Sequence, residues 1–541
     1  MFSSDQDFTP PKNLYDFRAW TELISKIDVN DNSSMTGQTS QLCNNNFRTF
    51  LKAFPWLHKY WTKFAQFIWS AKYDLKTVEP IFVEALSRNT LIYSVDMWLE
   101  YIKFFQTHLA QTEQHRLRGI FASALDAVGS LYNSSEIWHM ALNYENEHRR
   151  TRFFLLSKVI SYPVSELKQF WAELQTILPR VPVGQLKQFD PNKTVTELFS
   201  ETEQVSNQVL PPNAEIQARA EANKRLSDLY NASLKMLSKR YGYEINITRQ
   251  HFDFISPDEI QIGNWEAYAS MLEKEYNADP SWVNYNSVVQ CYERAIIPCA
   301  FVDSIWLNYA NFLEDAANSH HRQKFASVED ARAVYNRIPY QVLPSAKIVQ
   351  AEFEEVYSST LATELYNQMA LSNYAEQIVA AAYYAQRTIN EEEAAAVLRS
   401  AAVRLIENND LEGGSVIAAT LLNLKNEATA NAGGAVYLTE YARRLIQSDP
   451  EQSSMILYDF IYKNENTPPL EDRILVLDIY LEYARTKSMP ADFQLNLENE
   501  RNKLRNKLVF NQDYFNNSYM LSARHPEQKL REWLATSSST I

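Results

Sequence analysis

Glycine is scarce in this chain, with 10 among 541 residues. A doubly wound nucleotide-binding fold needs glycine at its phosphate loop and an all-β barrel needs it at its corners, so neither architecture is expected. No G-x-G or G-x-x-x-x-G-K segment and no G-x-S-x-G elbow occurs, which closes the motif routes to a phosphate cradle and to a nucleophilic serine. Cysteine numbers only three, Cys43, Cys291 and Cys299, without C-x-x-C spacing. That pattern suits buried free thiols in a reducing compartment rather than a disulfide framework or a zinc site. The nine histidines show no H-E-x-x-H spacing. The adjacent pair His320-His321 would point apart on a helix and has no carboxylate or thiol at ligand spacing, so it reads as part of an inter-repeat loop.

Long apolar runs are missing as well. Nowhere do about 18 uninterrupted apolar residues appear, which excludes an ordinary transmembrane helix. Residues 1–11 are polar and acidic and carry no signal-peptide pattern. Positive charge is in deficit, with 52 Lys and Arg against 66 Asp and Glu and a net charge of −14. The molecule as a whole therefore repels a phosphate backbone, and nucleic-acid contact is expected to be local at most. No enzyme activity, cofactor or metal is expected from these residues.

What the chain has in abundance is aromatic bulk: 31 Tyr, 27 Phe and 11 Trp. The tryptophans keep time. Trp20, Trp61, Trp98 and Trp138 are separated by 41, 37 and 40 residues, and Trp265 and Trp306 by 41, a period characteristic of helical repeats. Each opens a segment with helical spacing, as in Trp61, Phe64, Ile68; Trp98, Tyr101, Phe105; Trp265, Tyr268, Leu272; and Trp306, Tyr309, Leu313. Positions i, i+3 and i+7 share one helix face, so each segment is an amphipathic helix with a large anchor at its start.

Roughly 20 to 30 residues after several of the tryptophans comes a second pattern: an aromatic, two spacers, an alanine, then an aliphatic residue. Its instances are Phe82 to Leu86 around Ala85, Phe121 to Leu125 around Ala124, and Tyr292-Glu293-Arg294-Ala295-Ile296. Alanine belongs there because two antiparallel helices approach closely only where one presents a small side chain to the bulky anchor of the other. A two-helix unit cannot bury its apolar face alone, so such units must stack into a solenoid.

Between residues 176 and 212 the text changes to Pro, Gln, Asn and Glu, and this stretch reads as a linker or long loop. A long helix over 213–241 and a break near 251–257 follow. Three regions are expected: an N-terminal array over 1–178, a linker with a long connecting helix over 179–255, and a C-terminal array over 256–541. Beyond Pro344 the tryptophan spacing fades and the anchors become Ala and Leu. Glu391-Glu392-Glu393 heads an Ala-rich helix, where acidic charge favours the N-terminus. Residues 501–541 carry seven Lys and Arg against three Asp and Glu, a basic end on an acidic protein.

The Trp-x2-aromatic pattern followed by aromatic-Glu-Arg-Ala resembles half-a-TPR (HAT) repeats. Within that group the chain resembles the pre-mRNA-processing factor 39 family. The resemblance rests on Tyr292 to Ala300 continuing into Trp306-Leu307-Asn308-Tyr309-Ala310, on Phe54-Pro55-Trp56 with Tyr60 to Ala65, on Val95 to Trp98, and on Ile137-Trp138 with Asn143 to Glu147. It implies an all-α fold, an α-solenoid of tandem HAT helix pairs in two arrays. It also implies a nuclear scaffold of pre-mRNA splicing, auxiliary to the U1 small nuclear ribonucleoprotein at 5′ splice sites. The partners it implies are proteins of that particle, including its zinc-finger subunit, and a second copy or a paralogue joined through a dimerisation region in the C-terminal repeats. Two other readings are the HAT scaffold of the mRNA 3′-end cleavage-stimulation complex, which usually continues into a proline-rich segment not seen here, and a helical lipid-processing enzyme, for which no DDxxD-type cluster is present.

The site residues expected on these grounds are of two kinds. Trp20, Trp61, Trp98, Trp138, Trp265 and Trp306, with Ala85, Ala124 and Ala295, are repeat-core anchors. Arg149, Arg150, Arg152 and Lys158, and Arg501, Lys503, Arg505 and Lys507, are the two basic clusters that could meet RNA or an acidic partner. A solvated helical face is the simpler account of both clusters.

Overall fold

A computed structural model describes residues 8–27, 37–87 except 73, 91–319 except 111, 112, 114 and 202–211, 325–408, 410, 413, 414, 416, 417, 420, and 470–509 except 488. Among the described residues there are helices and no strands, as an all-α solenoid requires. The chain divides into two compact units, residues 1–343 and 344–541.

The first unit begins with α1 (Phe17–Ser25), α2 (Gly37–Ala53), α3 (His58–Lys72), α4 (Leu75–Ala85), α5 (Val95–His108), α6 (His115–Val128), α7 (Ser135–Tyr144), α8 (Arg149–Val159) and α9 (Leu167–Ile177). Successive helices pack on one another, among them α3 on α4, α5 on α6, and α8 on α9. Polar residues set their starts. The Asp74 carboxylate accepts from the Lys76 N–H ahead of α4, and the Ser94 hydroxyl accepts from the Met97 N–H ahead of α5, satisfying donors that a helix N-terminus leaves unpaired. The face of α5 carrying Trp98, Tyr101 and Phe105 is buried, as is α4 at Phe82 and Ala85, while Val83 between them is 59% exposed. Of the Trp61 face, Phe64 is buried, but Phe67 rather than Ile68 completes the apolar stripe.

The part of the stretch expected to be a linker or long loop that lies among the described residues, up to 201, is folded. It holds α10 (Val183–Gln188) and α11 (Val195–Glu201), both docked on neighbours. The Asp126 carboxylate on α6 accepts the Val195 N–H at 2.5 Å, the Thr196 N–H at 3.1 Å and the Thr196 hydroxyl at 2.7 Å, so it caps α11 from a distance in sequence. The proline-rich composition hid this because the helices are short; α11 also carries a local capping box, in which the Thr194 hydroxyl accepts the Glu197 N–H at 3.1 Å and the Glu197 carboxylate accepts the Thr194 N–H at 2.7 Å. The 35-residue helix α12 (Pro212–Asn246) then runs along α10. Its Arg219 donates to the Val181 carbonyl at 2.9 Å, and its Arg225 donates to the Phe189 carbonyl at 2.7 Å.

The repeats resume with α13 (Glu259–Ala278), α14 (Trp282–Ile296), α15 (Asp303–Asn318) and α16 (Val328–Tyr335). They do not form a separate body. Phe17 stacks on Phe254 with ring centroids 5.1 Å apart, Phe54 and Trp56 both lie 6.3 Å from Phe301, and Trp56 lies 6.3 Å from Trp306. Asn133 donates to Gln250 at 2.8 Å, and Ser130 to Gln290 at 3.1 Å. The boundaries expected at 178 and 255 therefore fall inside one contact network. Such aromatic pairs add attraction beyond the area they bury.

The second unit contains α17 (Ala346–Tyr357), α18 (Ser359–Ala370), α19 (Ala375–Thr388), α20 (Glu391–Glu407), α21 (Leu470–Thr486) and α22 (Ala491–Val509). Between α19 and α20 the buried surface is largely alanine, Ala382, Ala385, Ala394, Ala395, Ala401 and Ala402, with Ile378, Leu398 and Leu405. Small side chains allow a close approach and need no large anchor, which is why the tryptophan spacing fades here. The Asn390 side chain accepts from the Glu393 N–H at 2.7 Å and caps α20.

Candidate functional site

The six ruler tryptophans are buried, between 0% and 6% exposed. Five use the indole N–H in a recurring way. Trp20 donates to the Leu14 carbonyl at 2.9 Å, Trp61 to Pro55 at 2.8 Å, Trp98 to Ile92 at 2.8 Å and Trp306 to Ala300 at 3.0 Å, each six residues back. Trp138 reaches the Gly129 carbonyl at 2.9 Å. The indole thus closes the turn that leads into its own helix, which phenylalanine could not do. Trp265 differs, with a buried N–H that has no acceptor among the described residues. Ala85, Ala124 and Ala295 are 0–1% exposed at helix contacts.

A second device joins three successive helices through one carboxylate. Glu244 near the end of α12 accepts the Tyr268 hydroxyl of α13 at 2.9 Å and the Arg294 guanidinium of α14 at 2.7 and 2.8 Å. Glu293 on α14 accepts the Tyr309 hydroxyl of α15 at 3.0 Å and the Arg337 guanidinium, just after α16, at 2.6 and 2.8 Å. Glu79 on α4 takes the Tyr101 hydroxyl at 3.3 Å and Arg116 at 2.6 Å. In the second unit Glu355 takes the Tyr366 hydroxyl at 2.5 Å and Arg387 at 2.8 Å.

The two central triads are the driest. Arg294 and Glu244 are 7% and 1% exposed in their side chains, Arg337 and Glu293 12% and 8%, whereas Arg387 is 58% exposed. Their guanidiniums lie over the anchors, Arg294 at 5.3 Å from the Trp265 ring and Arg337 at 5.6 Å from Trp306. Burial alone would raise the Glu244 carboxyl, but the charge and hydrogen bonds of Arg294 hold it below the usual carboxylate range. Burial, with Glu244 alongside, pushes the Tyr268 hydroxyl well above its ordinary value. These groups hold fixed charges that tie the stack together.

The motif Tyr292-Glu293-Arg294-Ala295 is thereby accounted for residue by residue. Tyr292 donates to Glu273 at 2.5 Å and stacks on Tyr309, Glu293 reaches forward to Arg337, Arg294 reaches back to Glu244, and Ala295 sits at the helix contact. Spacing along the chain marks these positions as packing only. Spacing does not mark Glu79, Glu244, Glu355 or Arg337, although a tyrosine stands three residues after Trp98, Trp265 and Trp306. A buried phenol asks for a partner.

The first basic cluster is used mostly inside the fold. Arg150 donates to Gln188 at 2.9 Å, and Arg152 to Glu173 at 2.6 Å. Lys158, 5% exposed, donates to the Pro191 carbonyl at 2.6 Å. Arg149 is exposed. In the second cluster Arg501 and Arg505 both pair with Asp478 at 3.0 Å, Lys503 is exposed, and the Lys507 side chain lies outside the described residues. His320 and His321 also lie outside them. The three cysteines are free and buried, their thiols pushed up by burial to about 11 for Cys43 and about 12 for Cys291 and Cys299.

An open cavity of about 390 Å³ lies among α13, α14 and α15. Glu266, Glu273 and Asp315 face it together with Asn277, Asn308 and Asn311. Burial raises the Glu273 carboxyl, and nearby Asp315 adds to the effect.

Residues 10–176 match the PRP39 N-terminal HAT repeat, and residues 238–393 match the PRP39 C-terminal HAT repeat. The chain belongs to the pre-mRNA-processing factor 39 family. It is 24% identical to pre-mRNA-processing factor 39 of Homo sapiens over 64% of this chain and 52% of that protein. It is 25% identical to the protein of the same name in Schizosaccharomyces pombe over 64% of this chain and 56% of that one. It is also 22% identical to the U1 small nuclear ribonucleoprotein component PRP42 of Saccharomyces cerevisiae, over 57% of this chain and 56% of that one. The chain spans about half the length of the curated relatives it matches. The matched residues of this family member include the four ruler tryptophans of the N-terminal helices, Trp265 and Trp306, and all four carboxylate triads.

Proposed function

We propose that this protein is a non-catalytic scaffold of pre-mRNA splicing, auxiliary to the U1 small nuclear ribonucleoprotein and acting in the nucleus at 5′ splice sites. The observation that carries the reading is the pairing of family membership with a stack whose repeats are pinned to one another. Dry Glu–Tyr–Arg triads and a shared aromatic cluster hold distances between partner-binding faces, and a scaffold works by holding distances. Proteins of the U1 particle, its zinc-finger subunit among them, are the partners in this reading. RNA contact is confined to exposed cations such as Arg149 and Lys503. The test is affinity purification of the tagged protein from nuclear extract with probing for U1 RNA. Enrichment of the U1 particle supports the proposal; recovery of 3′-end cleavage-stimulation factors without U1 RNA overturns it.

The reading includes a paired arrangement, with a second copy or a paralogue docked through the C-terminal repeats. Light scattering across a concentration series decides between them. A mass near twice 62.7 kDa means a homodimer, and a persistent monomer means that a paralogue is required.

A further inference from the structure

The four carboxylate triads share one plan. A glutamate accepts a tyrosine hydroxyl from the next helix and a guanidinium from beyond it. Glu273 on α13 begins the same arrangement, accepting the Tyr292 hydroxyl of α14 at 2.5 Å. The next helix, α15, has neither lysine nor arginine, and no cation among the described residues pairs with Glu273. The electrostatics differ accordingly. Arg294 holds the Glu244 carboxyl low, whereas burial and the nearby Asp315 raise that of Glu273.

Glu273 lines the open cavity of about 390 Å³ among α13, α14 and α15, a volume within the range of ligand clefts, roughly 300 to 1,000 Å³. Glu266, Glu273 and Asn277 share one face of α13, and Asn308, Asn311 and Asp315 share one face of α15. No Lys, Arg or His lines the space between them. Tyr276, 2% exposed, lines it too, and its hydroxyl beside Ser319 makes no hydrogen bond of good geometry among the described residues. A buried phenol in that position is a cost that a bound polar group would remove. Three carboxylates without a cation repel phosphate and favour a cationic guest. The rings of Tyr292 and Phe312, 6.3 Å apart at the same cavity, suit a guanidinium, as the arginines over Trp265 and Trp306 illustrate elsewhere in this unit. The exposed amides of Asn277, Asn308 and Asn311 offer both donors and acceptors, which an extended peptide backbone requires.

We propose that this cavity takes an arginine side chain from an extended segment of a partner protein, the guanidinium meeting Glu273 and Asp315 and the segment's backbone meeting the asparagine amides. The partner's arginine completes the triad that Glu273 and Tyr292 begin. The inference concerns this cavity alone and stands whichever assembly the scaffold serves.

The test uses the full chain and a pool of short, end-blocked, fluorescently labelled peptides, each with one arginine among randomised neutral residues. Two further pools carry lysine or uncharged citrulline in place of the arginine. By fluorescence anisotropy the arginine pool is expected to bind about tenfold more tightly than the lysine pool, and the citrulline pool not to bind. Asp315→Asn, at an exposed position, is expected to weaken arginine binding about tenfold. Glu147→Gln, the same change of charge at an exposed position outside the cavity, is expected to leave it unchanged. Glu273→Gln should weaken binding as Asp315→Asn does, and Asp315→Asn carries the test if the melting curve shows that Glu273→Gln does not fold. No binding of the arginine pool, equal binding of the lysine or citrulline pool, or undiminished binding by Asp315→Asn would overturn the proposal.

Discussion

Glu293 on α14 and Arg337 beyond α16 are joined by two hydrogen bonds of 2.6 and 2.8 Å beneath the Trp306 ring, 44 residues apart in sequence. The Tyr309 hydroxyl donates to the same carboxylate. Removing one partner of so dry a pair leaves the other charged and buried. Arg337→Ala is therefore expected to cost about 3–5 kcal/mol in urea unfolding. Arg337→Lys should recover only part of this, because an ammonium cannot make the paired contact. A loss below about 1 kcal/mol would mean that the pair is incidental to the stack.

The Glu244–Arg294 pair predicts the direction of pH dependence. The Glu244 carboxyl is held below its ordinary value in the fold, so the unfolded chain takes up the proton first as pH falls. Its contribution is fully present above the unfolded carboxylate range, about pH 4.3 to 4.5, and is lost as pH drops through the lower folded value. Melting temperature followed from pH 7 downward should therefore fall in that acid range, and the fall attributable to this group should be smaller in an Arg294→Met, Glu244→Gln double variant.

Trp306 and Trp265 occupy matching positions, each with an arginine over its ring, yet among the described residues only Trp306 of the two has a partner for its N–H. Trp306→Phe is expected to be more destabilising than Trp265→Phe by about 1 kcal/mol, the net worth of one hydrogen bond. Equal losses measured by chemical denaturation would show that the indole N–H contributes nothing at Trp306.

The alanine of the second pattern is a contact residue and its neighbour is not. Ala85 is 0% exposed while Val83 is 59% exposed. Ala85→Leu should cost about 1–3 kcal/mol by overpacking the contact between helices, and Val83→Ala should stay within about 0.5 kcal/mol. Thermal unfolding of the two variants beside the parent measures both.

The basic clusters can be separated by one pair of variants. Lys158 is buried against the Pro191 carbonyl and over the Tyr162 ring at 5.2 Å, so Lys158→Glu should lower stability by about 3 kcal/mol or more. Lys503→Glu, at an exposed position, should leave stability within about 0.5 kcal/mol. If RNA is touched by α22, only the second change should weaken binding without altering the melting temperature.

Much of this architecture is local and was legible. Period, amphipathic faces and small residues at helix contacts follow from spacing along the chain, because a helix presents every third or fourth residue to one side whatever lies opposite. Trp98 with Tyr101 and Phe105, and Tyr292 with Ala295, could be placed in the core from sequence alone. The choice of indole at these positions could not be explained, since its acceptor is a carbonyl whose position depends on the turn before the helix.

What the sequence by itself determined is the repeating helix pair, the family, and the absence of the motifs that phosphate-loop and serine-nucleophile chemistry use. What the tertiary structure alone decided is the partnership of distant charges and the continuity of the first unit. Glu244 meets Arg294 and Trp56 meets Trp306 only because stacking carries them across many residues of chain. Asp126 ties the start of α11 to α6 from 69 residues away. An ion pair or a ring contact depends on distance in space, and no periodicity along the chain encodes which repeat will supply the other half.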